Sequence, residues 1–365
     1  MSVMDRRNMD SYIELLRRLI GLKTITANVN AVNRAQDTLR VFLSEHGITC
    51  TMEELDGRKI LYGSTVPGKT PDLLLNAHVD VVPAENDSQF CPVTEGDWIV
   101  GRGSGDCLGN AVCAVKTLCE ADDDVSIGVI FSADEETGGR TTGRMVSLGY
   151  AARRLVCVLD NYDDDNICFA QKGIMYLKLS TRGVSGHSST PWLFDNPVDK
   201  LITGYARLLE KWQNPTAEDS WHASIAGTML HAGIIANQIP DAAEMSVNVR
   251  YTRPEEKEEI INFIRETTGA EVEYVSGRAP LAVRSDAKEL ELLAGVMEKY
   301  LGKRPGLTRM HGATDASYFS SGSAPVAVIG IKFIGAHAKS ERASLSSLEK
   351  YSFVLKDLAK ALKQS

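Results

Sequence analysis

The chain has 365 residues, of which 43% are hydrophobic and 24% are charged, and its formal net charge at pH 7 is -8. This composition is typical of a soluble globular protein with one large domain or two ordinary ones. The acidic balance argues against a nucleic-acid-binding surface, which would need a basic patch. No apolar run approaches the ~18 residues of a membrane-spanning helix, so we expect neither nucleic acid nor a membrane as a partner.

The seven cysteines lie mostly inside apolar runs, and no two of them form a C-x-x-C pair. Their odd number argues against a disulfide framework. The first seven residues contain no apolar signal core, which a secretory leader would need. We therefore expect a cytoplasmic protein whose thiols stay reduced.

The first part of the chain alternates helical and extended patterns. In chain order, the predicted elements are a helix that begins at a capping box over residues 10–14, helix 31–46, strands 48–55 and 59–64, strand 73–80, helix 109–121, strand 126–136, helix 141–148 and strand 154–160. Apolar strands that alternate with helices are typical of a mostly parallel sheet covered by helices. The sequence therefore predicts an α/β domain with a mostly parallel sheet.

The pattern changes after Gln171, where half-exposed strands and amphipathic helices follow in the order β-α-β-β-α-β. These elements are strand 173–184, helix 196–212, strands 224–236 and 242–251, helix 254–267 and strand 271–275. This order is the split motif of a ferredoxin-like sandwich. We expect residues 172–282 to form a separate α+β domain, inserted between residues 1–171 and 283–365 of the first domain. The last part adds helix 286–301, strand 325–331 and helix 346–363.

Three of the predicted apolar strands end in side chains of metal-binding types. His78 and Asp80 end the first strand, the acidic residues 134–136 end the second, and Asp160 ends the third. In open α/β sheets, sites form at the carboxyl ends of the strands. On an extended strand His78 and Asp80 share a face, so Asp80 can fix the tautomer of a metal-binding His78.

A fourth carboxylate, Asp106, lies at a glycine-rich corner, Gly101-Arg102-Gly103-Ser104-Gly105-Asp106, just before a predicted helix. A carboxylate at such a corner is held by the backbone and can be shared between two cations. Taken alone, each of these patterns is also typical of solvated turns and loops. The same holds for His187 and His337, which lie in polar loops. Their combination favours a site.

Together the patterns resemble the co-catalytic zinc metallopeptidase family that includes glutamate carboxypeptidase, acetylornithine deacetylase, succinyl-diaminopimelate desuccinylase, the aminoacylases and tripeptidase T. The resemblance runs nearly end to end, and its blocks stand in the family's order. They are residues 78–83, residues 101–103 with Asp106 and Gly109, residues 134–136 with Gly138, residues 183–191 around His187, residues 237–240 with Arg250, and finally His337 followed by Glu341.

The resemblance implies two Zn²⁺ ions per chain, and Co²⁺ or Mn²⁺ suit the same ligands. One ion would take His78, Asp106 and Asp160. The other would take Asp106, Glu136 and His337, so that Asp106 bridges the pair.

The same resemblance assigns roles beside the metals. Glu135 would be the general base that moves a proton from the attacking water to the leaving amine. Asp80 would be the partner that orients the imidazole of His78. The inserted domain would be a lid that carries the contact of a homodimer. His187 would reach the partner subunit's active site, while Asn237 and Arg250 would contact a small peptide or N-acyl amino acid substrate.

Three departures from the family's pattern bear on the substrate. Leu108 stands where the family usually has a lysine, Cys107 adjoins Asp106, and Gly312-Ala313 replaces a pair of glycines. None of them removes an expected metal ligand.

The resemblance implies a metal-dependent hydrolase that cleaves the peptide or N-acyl amide bond of a small carboxylate-bearing substrate. It does not choose between a dipeptidase, a carboxypeptidase and a deacylase. Two other functions stay open at this point. One is a non-catalytic metal-binding or interaction protein on the same fold, and the other is a thiol hydrolase that uses Cys107 with a histidine.

Overall fold

The computed structural model describes residues 3–364, with side chains from residue 9 onward. Met1, Ser2 and Ser365, which the expected first domain includes, lie outside the described residues. The chain forms two compact units. The first comprises the chain up to Phe169, Val283–Arg309 and the chain from Thr314 onward, and the second comprises Ala170–Ala282 and Met310–Ala313.

The α-helices of the described chain are α1 (Val3–Gly21), α2 (Val29–Glu45), α3 (Leu108–Cys119), α4 (Arg140–Ser147), α5 (Pro197–Lys211), α6 (Glu256–Thr268), α7 (Lys288–Leu301) and α8 (Leu345–Gln364). The strands are β1 (Thr49–Leu55), β2 (Arg58–Ser64), β3 (Leu73–His78), β4 (Val93–Glu95), β5 (Trp98–Val100), β6 (Ile127–Ser132), β7 (Leu155–Leu159), β8 (Asn166–Gln171), β9 (Gly173–Arg182), β10 (Gly186–His187), β11 (Ser224–Ala232), β12 (Gln238–Ile239), β13 (Ala242–Tyr251), β14 (Glu271–Arg278), β15 (Leu281–Ala282), β16 (Gly306–Met310), β17 (Val326–Ile329), β18 (Phe333–Ile334) and β19 (Arg342–Ser344).

The large sheet of the first unit has the strand order β1-β2-β6-β3-β7-β17-β8, and β16 also pairs with β8. Its four central strands, β6, β3, β7 and β17, are parallel, whereas β1, β2 and β8 add antiparallel flanks. β3, β6 and β7 are buried along their whole length, as expected for apolar central strands of a parallel sheet. The predicted α/β class with a mostly parallel central sheet is confirmed.

The helix after the glycine corner is buried on all sides. In α3 every residue from Leu108 to Leu118 is buried, and the helix packs against α1, α8 and β3. A helix that is apolar around its whole circumference belongs in a core rather than on a surface. Asp106 therefore lies immediately before one of the most enclosed elements of the unit.

The predicted start of the first helix is wrong. α1 begins at Val3, so Asp10, Ser11 and Glu14 lie inside the helix and do not form a capping box at its start. The preceding residues contain neither Gly nor Pro, so nothing in the sequence prevents the helix from extending toward the N-terminus.

The sequence patterns did not predict a second sheet in the first unit, with the order β18-β19-β5-β4. Its strands have only two or three residues, too few to show a period of two. Arg342 of β19 pairs with Val100 of β5, so this sheet joins the start of the glycine corner to the segment that follows His337.

The second unit is built on a four-stranded antiparallel sheet with the order β11-β13-β9-β14. Its strands and helices follow one another as β9, α5, β11, β13, α6 and β14. The helices α5 and α6 pack together and contribute Leu201, Leu208 and Ile264 to one hydrophobic core with the sheet. Two short strands, β10 and β12, pair separately.

Two further findings concern possible membrane spans and the state of the cysteines. Within the described residues, no helix combines the length and the apolar composition needed to cross a bilayer. All seven cysteines are free thiols.

Candidate metal centre

A histidine and a carboxylate from separate elements meet at the centre of the first unit. His78 is the last residue of β3, and Asp106 lies at the corner before α3. Both side chains are buried. The Nε2 atom of His78 is 3.0 Å from Oδ1 of Asp106.

The second oxygen of Asp106 faces another histidine. Nε2 of His337 lies 3.2 Å from Oδ2 of Asp106 and 3.2 Å from Oε1 of Glu136. His337 adopts a left-handed backbone conformation with a φ of 62°, in the loop between β18 and β19. Asp106 therefore presents one oxygen to each histidine, as a bridging carboxylate would.

The remaining predicted ligand, Asp160, follows β7 and is also buried. One ligand atom each from His78, Asp160 and Cys107 lie within 4.8 Å of one another, and the same is true of His78, Asp106 and Glu136. The structure thus brings the predicted ligands of both metal positions together. Imidazole nitrogens and carboxylate oxygens are ligands that Zn²⁺, Co²⁺ and Mn²⁺ accept, so this donor set fits a pair of divalent cations.

Asp80 organises the strand ends around His78. Nδ1 of His78 is 2.9 Å from the backbone oxygen of Asp80 and 3.4 Å from its carboxylate. The carboxylate of Asp80 accepts hydrogen bonds from the backbone N–H groups of Glu135 (3.1 Å) and Glu136 (3.3 Å) and from the hydroxyl of Thr26 (2.8 Å). Asp80 therefore positions the acidic turn as well as the imidazole.

Glu135 and Glu136 lie in a short 3-10 turn, Glu135–Thr137, rather than on the preceding strand, which ends at Ser132. Glu136 faces His337. The negative charge of Glu135 acts on both Glu136 and Asp160, which places its carboxylate beside the ligand cluster. Adjacent residues of this turn can therefore serve two different tasks.

The carboxylates of the cluster are crowded, and their pKa values show it. Burial, with the nearby charge of Asp106, raises the pKa of Glu136 to about 7 and the pKa of Asp160 well above its ordinary value. Burial alone would also raise the pKa of Asp106, but hydrogen bonds from His337 and His78 outweigh it and hold this pKa well below its usual range. The hydrogen bond to Asp106 raises the pKa of His337 to about 9. A cation would relieve this repulsion.

A buried ion pair that the sequence analysis missed fixes the position of Asp106. The carboxylate of Glu341 accepts hydrogen bonds from the backbone N–H groups of Gly105 (3.0 Å) and Asp106 (3.1 Å) and from the guanidinium of Arg102 (2.6 Å). Arg102 also donates to the backbone oxygen of His337 at 2.9 Å. This pair connects the glycine corner to the loop that supplies His337.

Two more carboxylates, those of Asp134 and Asp315, bind residues on either side of the acidic turn Glu135–Thr137. Asp315 accepts hydrogen bonds from Ser132 (2.7 Å) and Thr142 (2.6 Å). Asp134 accepts hydrogen bonds from the backbone and the hydroxyl of Thr141. Both carboxylates are buried, and their hydrogen bonds hold the residues on either side of the turn.

Cys107 does not have the properties of a nucleophile. It is fully buried, its Sγ donates a hydrogen bond to the backbone oxygen of Leu159 at 2.9 Å, and burial raises the pKa of its thiol well above the ordinary value. Reactive cysteines are accessible and have a lowered pKa. The structure therefore argues against the thiol-hydrolase alternative.

Tyr162 is a further neighbour of the centre that no sequence pattern indicated. Its hydroxyl donates a hydrogen bond to Oδ2 of Asp106 at 3.1 Å. Only its position two residues after Asp160 could have pointed to it.

Two of the expected substrate residues lie side by side in the second unit. His187 pairs with Gln238 between β10 and β12, and the backbone N–H of Ser188 donates to the oxygen of Asn237 at 3.0 Å. Nδ1 of His187 is 2.8 Å from the hydroxyl of Ser189, and the imidazole is exposed.

The structure does not bring Arg250 together with these two residues. The segment with His187 adjoins the first end of β13, where Gly183 donates to the oxygen of Asp241, whereas Arg250 lies near the last residue of that strand. About 26 Å of strand separates the two ends. Within one chain, His187 and Arg250 therefore stand at opposite ends of the sheet.

Arg250 belongs to a group of cationic side chains. Burial, followed by repulsion from Arg250, lowers the pKa of Lys172, and burial lowers the pKa of Arg250 with a contribution from Arg278. The buried Lys172 donates to the backbone oxygens of Ser220 (2.6 Å) and His222 (2.8 Å). Such a concentration of positive charge suits an anionic ligand.

The chain was compared with known families and proteins. The model of peptidase family M20/M25/M40 matches residues 74–361. The chain is 25% identical to the succinyl-diaminopimelate desuccinylase of Ehrlichia canis, over 93% of this chain and 94% of that protein. It is 26% identical to an Emericella nidulans protein named as a probable carboxypeptidase, over 68% of this chain and 65% of that protein.

Among solved structures, a tripeptidase from Staphylococcus aureus superposes with a TM-score of 0.81, over 98% of this chain and 99% of that chain. The sequence identity is 15%, so this similarity shows the fold alone.

Proposed function

Because the chain belongs to peptidase family M20/M25/M40, we propose that it is a two-metal hydrolase that cleaves the peptide or N-acyl amide bond of a small carboxylate-bearing substrate. The observation that carries this proposal is the geometry of Asp106, whose two oxygens face His78 and His337 at 3.0 and 3.2 Å. A carboxylate shared in this way, with further carboxylates beside each imidazole, is the arrangement that a pair of cations requires.

The ligands divide into two sets around Asp106. His78 and Asp160 would complete one set, and Glu136 and His337 would complete the other. Zn²⁺ is the cation we expect, with Co²⁺ and Mn²⁺ as substitutes. When bound, the two ions would lower the pKa of a water molecule and polarise the substrate carbonyl.

Glu135 is the proton carrier of the proposed reaction. It would accept the proton of the attacking water and return it to the leaving amine. The hydrogen bond from its backbone N–H to Asp80 fixes its position, while Glu136, the next residue, is turned toward His337. The same carboxylate must take a proton from the water and later give it to the amine. It must therefore lie close to the metal positions without binding a metal itself.

The cationic side chains around Arg250 support a substrate with a carboxylate. The planar guanidinium of Arg250 can bind a carboxylate with two parallel hydrogen bonds, and Lys172 and Arg278 add positive charge around it. Since a C-terminal amino acid and an N-acyl amino acid both carry this group, the proposal covers carboxypeptidase, dipeptidase and deacylase activities.

We further propose that the protein works as a cytoplasmic homodimer in which the second unit forms the contact and acts as a lid. The edge strand β11 is exposed along most of its length, and its large side chains include Met229 and Leu230. Exposed apolar edges of this kind favour pairing with another strand. In such a dimer His187 and Asn237 would complete the partner's site, where His187 would stabilise the oxyanion.

In the first experiment the protein is purified with zinc supplied and is then dialysed, and its metal content is measured by elemental analysis. Turnover measurements with dipeptides and N-acyl amino acids follow. We expect two tightly bound ions per chain and hydrolysis that a chelator abolishes. A folded protein that binds no metal would refute the proposal and favour the non-catalytic alternative.

A pair of neighbouring variants then separates the two acidic roles. Glu135→Gln should lower turnover by about 10²–10⁴-fold and retain both ions, because it removes the proton carrier alone. Glu136→Gln is the matched control, and it should lose one ion because it removes a ligand. Full turnover in Glu135→Gln would disprove the assigned base.

A further inference from the structure

Tyr162 contacts the carboxylate that both halves of the metal centre share. Its hydroxyl donates to Oδ2 of Asp106 at 3.1 Å, the same oxygen that faces His337 at 3.2 Å. The other oxygen, Oδ1, faces His78. Tyr162 is thus a neutral side chain with a direct hydrogen bond to the carboxylate of Asp106.

The backbone before Tyr162 is held in place by its neighbour Asn161. The buried side-chain amide of Asn161 donates to the backbone oxygens of Asp163 at 2.8 Å and Asn166 at 3.1 Å. These bonds close the turn between β7 and β8. The turn that begins at Asp160 therefore positions two residues at the centre, the proposed ligand Asp160 and the phenol of Tyr162.

Packing fixes the ring itself. The ring of Tyr162 lies 5.4 Å from the ring of Phe333, at a tilt of 56°, which is a favourable aromatic geometry. Phe333 in turn lies directly against Gly105, where an added Cβ would approach its ring to 2.5 Å. The ring of Tyr162 thus packs on Phe333, which in turn packs on Gly105, the residue before Asp106. The side chain of Tyr162 remains half exposed.

We propose that Tyr162 is a positioning residue for Asp106, which holds the carboxylate in the orientation that offers one oxygen to each metal position. A carboxylate oxygen has two acceptor sites, so Oδ2 can bind a cation and still accept the hydroxyl of Tyr162. Hydrogen-bond partners of ligating carboxylates typically change metal affinity or activity by about 10–100-fold when they are removed. This inference rests on the proposed two-metal function.

The test is the variant Tyr162→Phe, which removes the hydroxyl and keeps the ring on Phe333. The metal-free wild type and the variant are titrated with Co²⁺, the bound ion is followed by its visible absorption, and competition with a chelator gives the dissociation constants. We expect an increase of about 10–100-fold for the ion held by His337 and Glu136, with an unchanged melting temperature of the metal-free protein.

Tyr300→Phe is the matched control. The hydroxyl of Tyr300 donates to the carboxylate of Asp357 at 2.6 Å, between α7 and α8, so this variant also removes a phenol–carboxylate bond. It should bind Co²⁺ like the wild type.

The outcomes separate this inference from the proposed function. If the wild type binds two ions and Tyr162→Phe binds them equally well, Tyr162 does not position Asp106, and the two-metal proposal stands. If the wild type itself binds fewer than two ions, the proposed function fails first. An equal loss of affinity in Tyr300→Phe would show a general effect of phenol removal and would also overturn the inference.

Discussion

Single side chains determine how firmly the metal centre is held, and Glu341 is the clearest case. It is 1% exposed and pairs with Arg102, which is 2% exposed. Glu341→Ala would leave a buried guanidinium and two backbone N–H groups without their acceptor. Loss of one partner from a buried pair costs about 3–5 kcal/mol, so we expect a decrease of this size in the free energy of unfolding, measured by denaturant titration.

Two comparisons make this measurement specific. Glu341→Gln keeps an acceptor of the same length and should destabilise the protein less than Glu341→Ala. Asp286→Ala breaks the pair between Arg284 and Asp286, whose side chains are exposed, and should have little effect. Equal effects of Glu341→Ala and Asp286→Ala would contradict the structural role of the buried pair.

Protonation of two ligands makes metal binding depend on pH. The pKa of His337 is raised to about 9 and that of Glu136 to about 7, so below these values each residue carries a proton that a cation must displace. The affinity of the metal-free protein for Zn²⁺ should therefore increase as the pH rises through about 7 and then about 9. Chelator competition at a series of pH values measures it, and a flat profile would argue against these two ligands.

At the scale of elements, the contact of α3 with the glycine corner leaves no room for a side chain. A Cβ at Gly109 would lie 2.2 Å from the backbone oxygen of Ser104 and 2.8 Å from the side chain of Ile331. Gly109→Ala should therefore displace the corner that carries Asp106, which lowers both the melting temperature and the affinity for Zn²⁺.

Gly295 in α7 is the matched control, because a Cβ there would meet nothing within 4 Å. Alanine is favoured over glycine inside a helix by about 0.5–1 kcal/mol, so Gly295→Ala should raise the melting temperature. If both variants shift the melting temperature in the same direction, the tight packing at Gly109 is not what determines the result.

The sequence predicted long elements well and short ones poorly. The strands predicted at residues 73–80, 126–136 and 154–160 and the helix at 31–46 show clear apolar patterns. The structure places β3, β6, β7 and α2 there, although the three strands end before their acidic residues. The strands β4, β5, β18 and β19 are too short to show any period. Their pairing depends on contacts between distant segments, as between Arg342 and Val100, and such contacts leave no local signal.

At the scale of the whole molecule, the proposed homodimer implies an active site that His187 of the partner subunit completes. Glu135→Gln and His187→Ala should each be nearly inactive as homodimers. In a mixed dimer, one site would combine the intact Glu135 of one protomer with the intact His187 of the other. We therefore expect turnover to recover when the two variants are unfolded together and refolded as a mixture.

A second mixture is the control for this recovery. Glu135→Gln and Glu136→Gln alter residues of the same turn, so no site in their mixed dimer has both residues intact. This mixture should stay inactive. If the first mixture also stays inactive although sedimentation shows a dimer, each chain uses its own His187 and the shared-site proposal is wrong.

The site itself was only partly readable from the sequence. His78, Glu136 and Asp160 could be grouped because strand ends of a parallel sheet converge on one edge. Tyr162 belonged to no pattern in the sequence, and Glu341 stood out only as part of the block that begins at His337. Their importance depends on tertiary contacts, and Glu341 reaches Arg102 across 239 residues of sequence.

That separation has a consequence for protein synthesis. His78, Asp106, Glu136 and Asp160 are all translated before the second unit, whereas His337 and Glu341 follow it in the chain. Until then the centre has a single imidazole, and Arg102 is without its carboxylate. A nascent polypeptide that has not yet reached His337 therefore cannot form the complete pair of proposed metal positions.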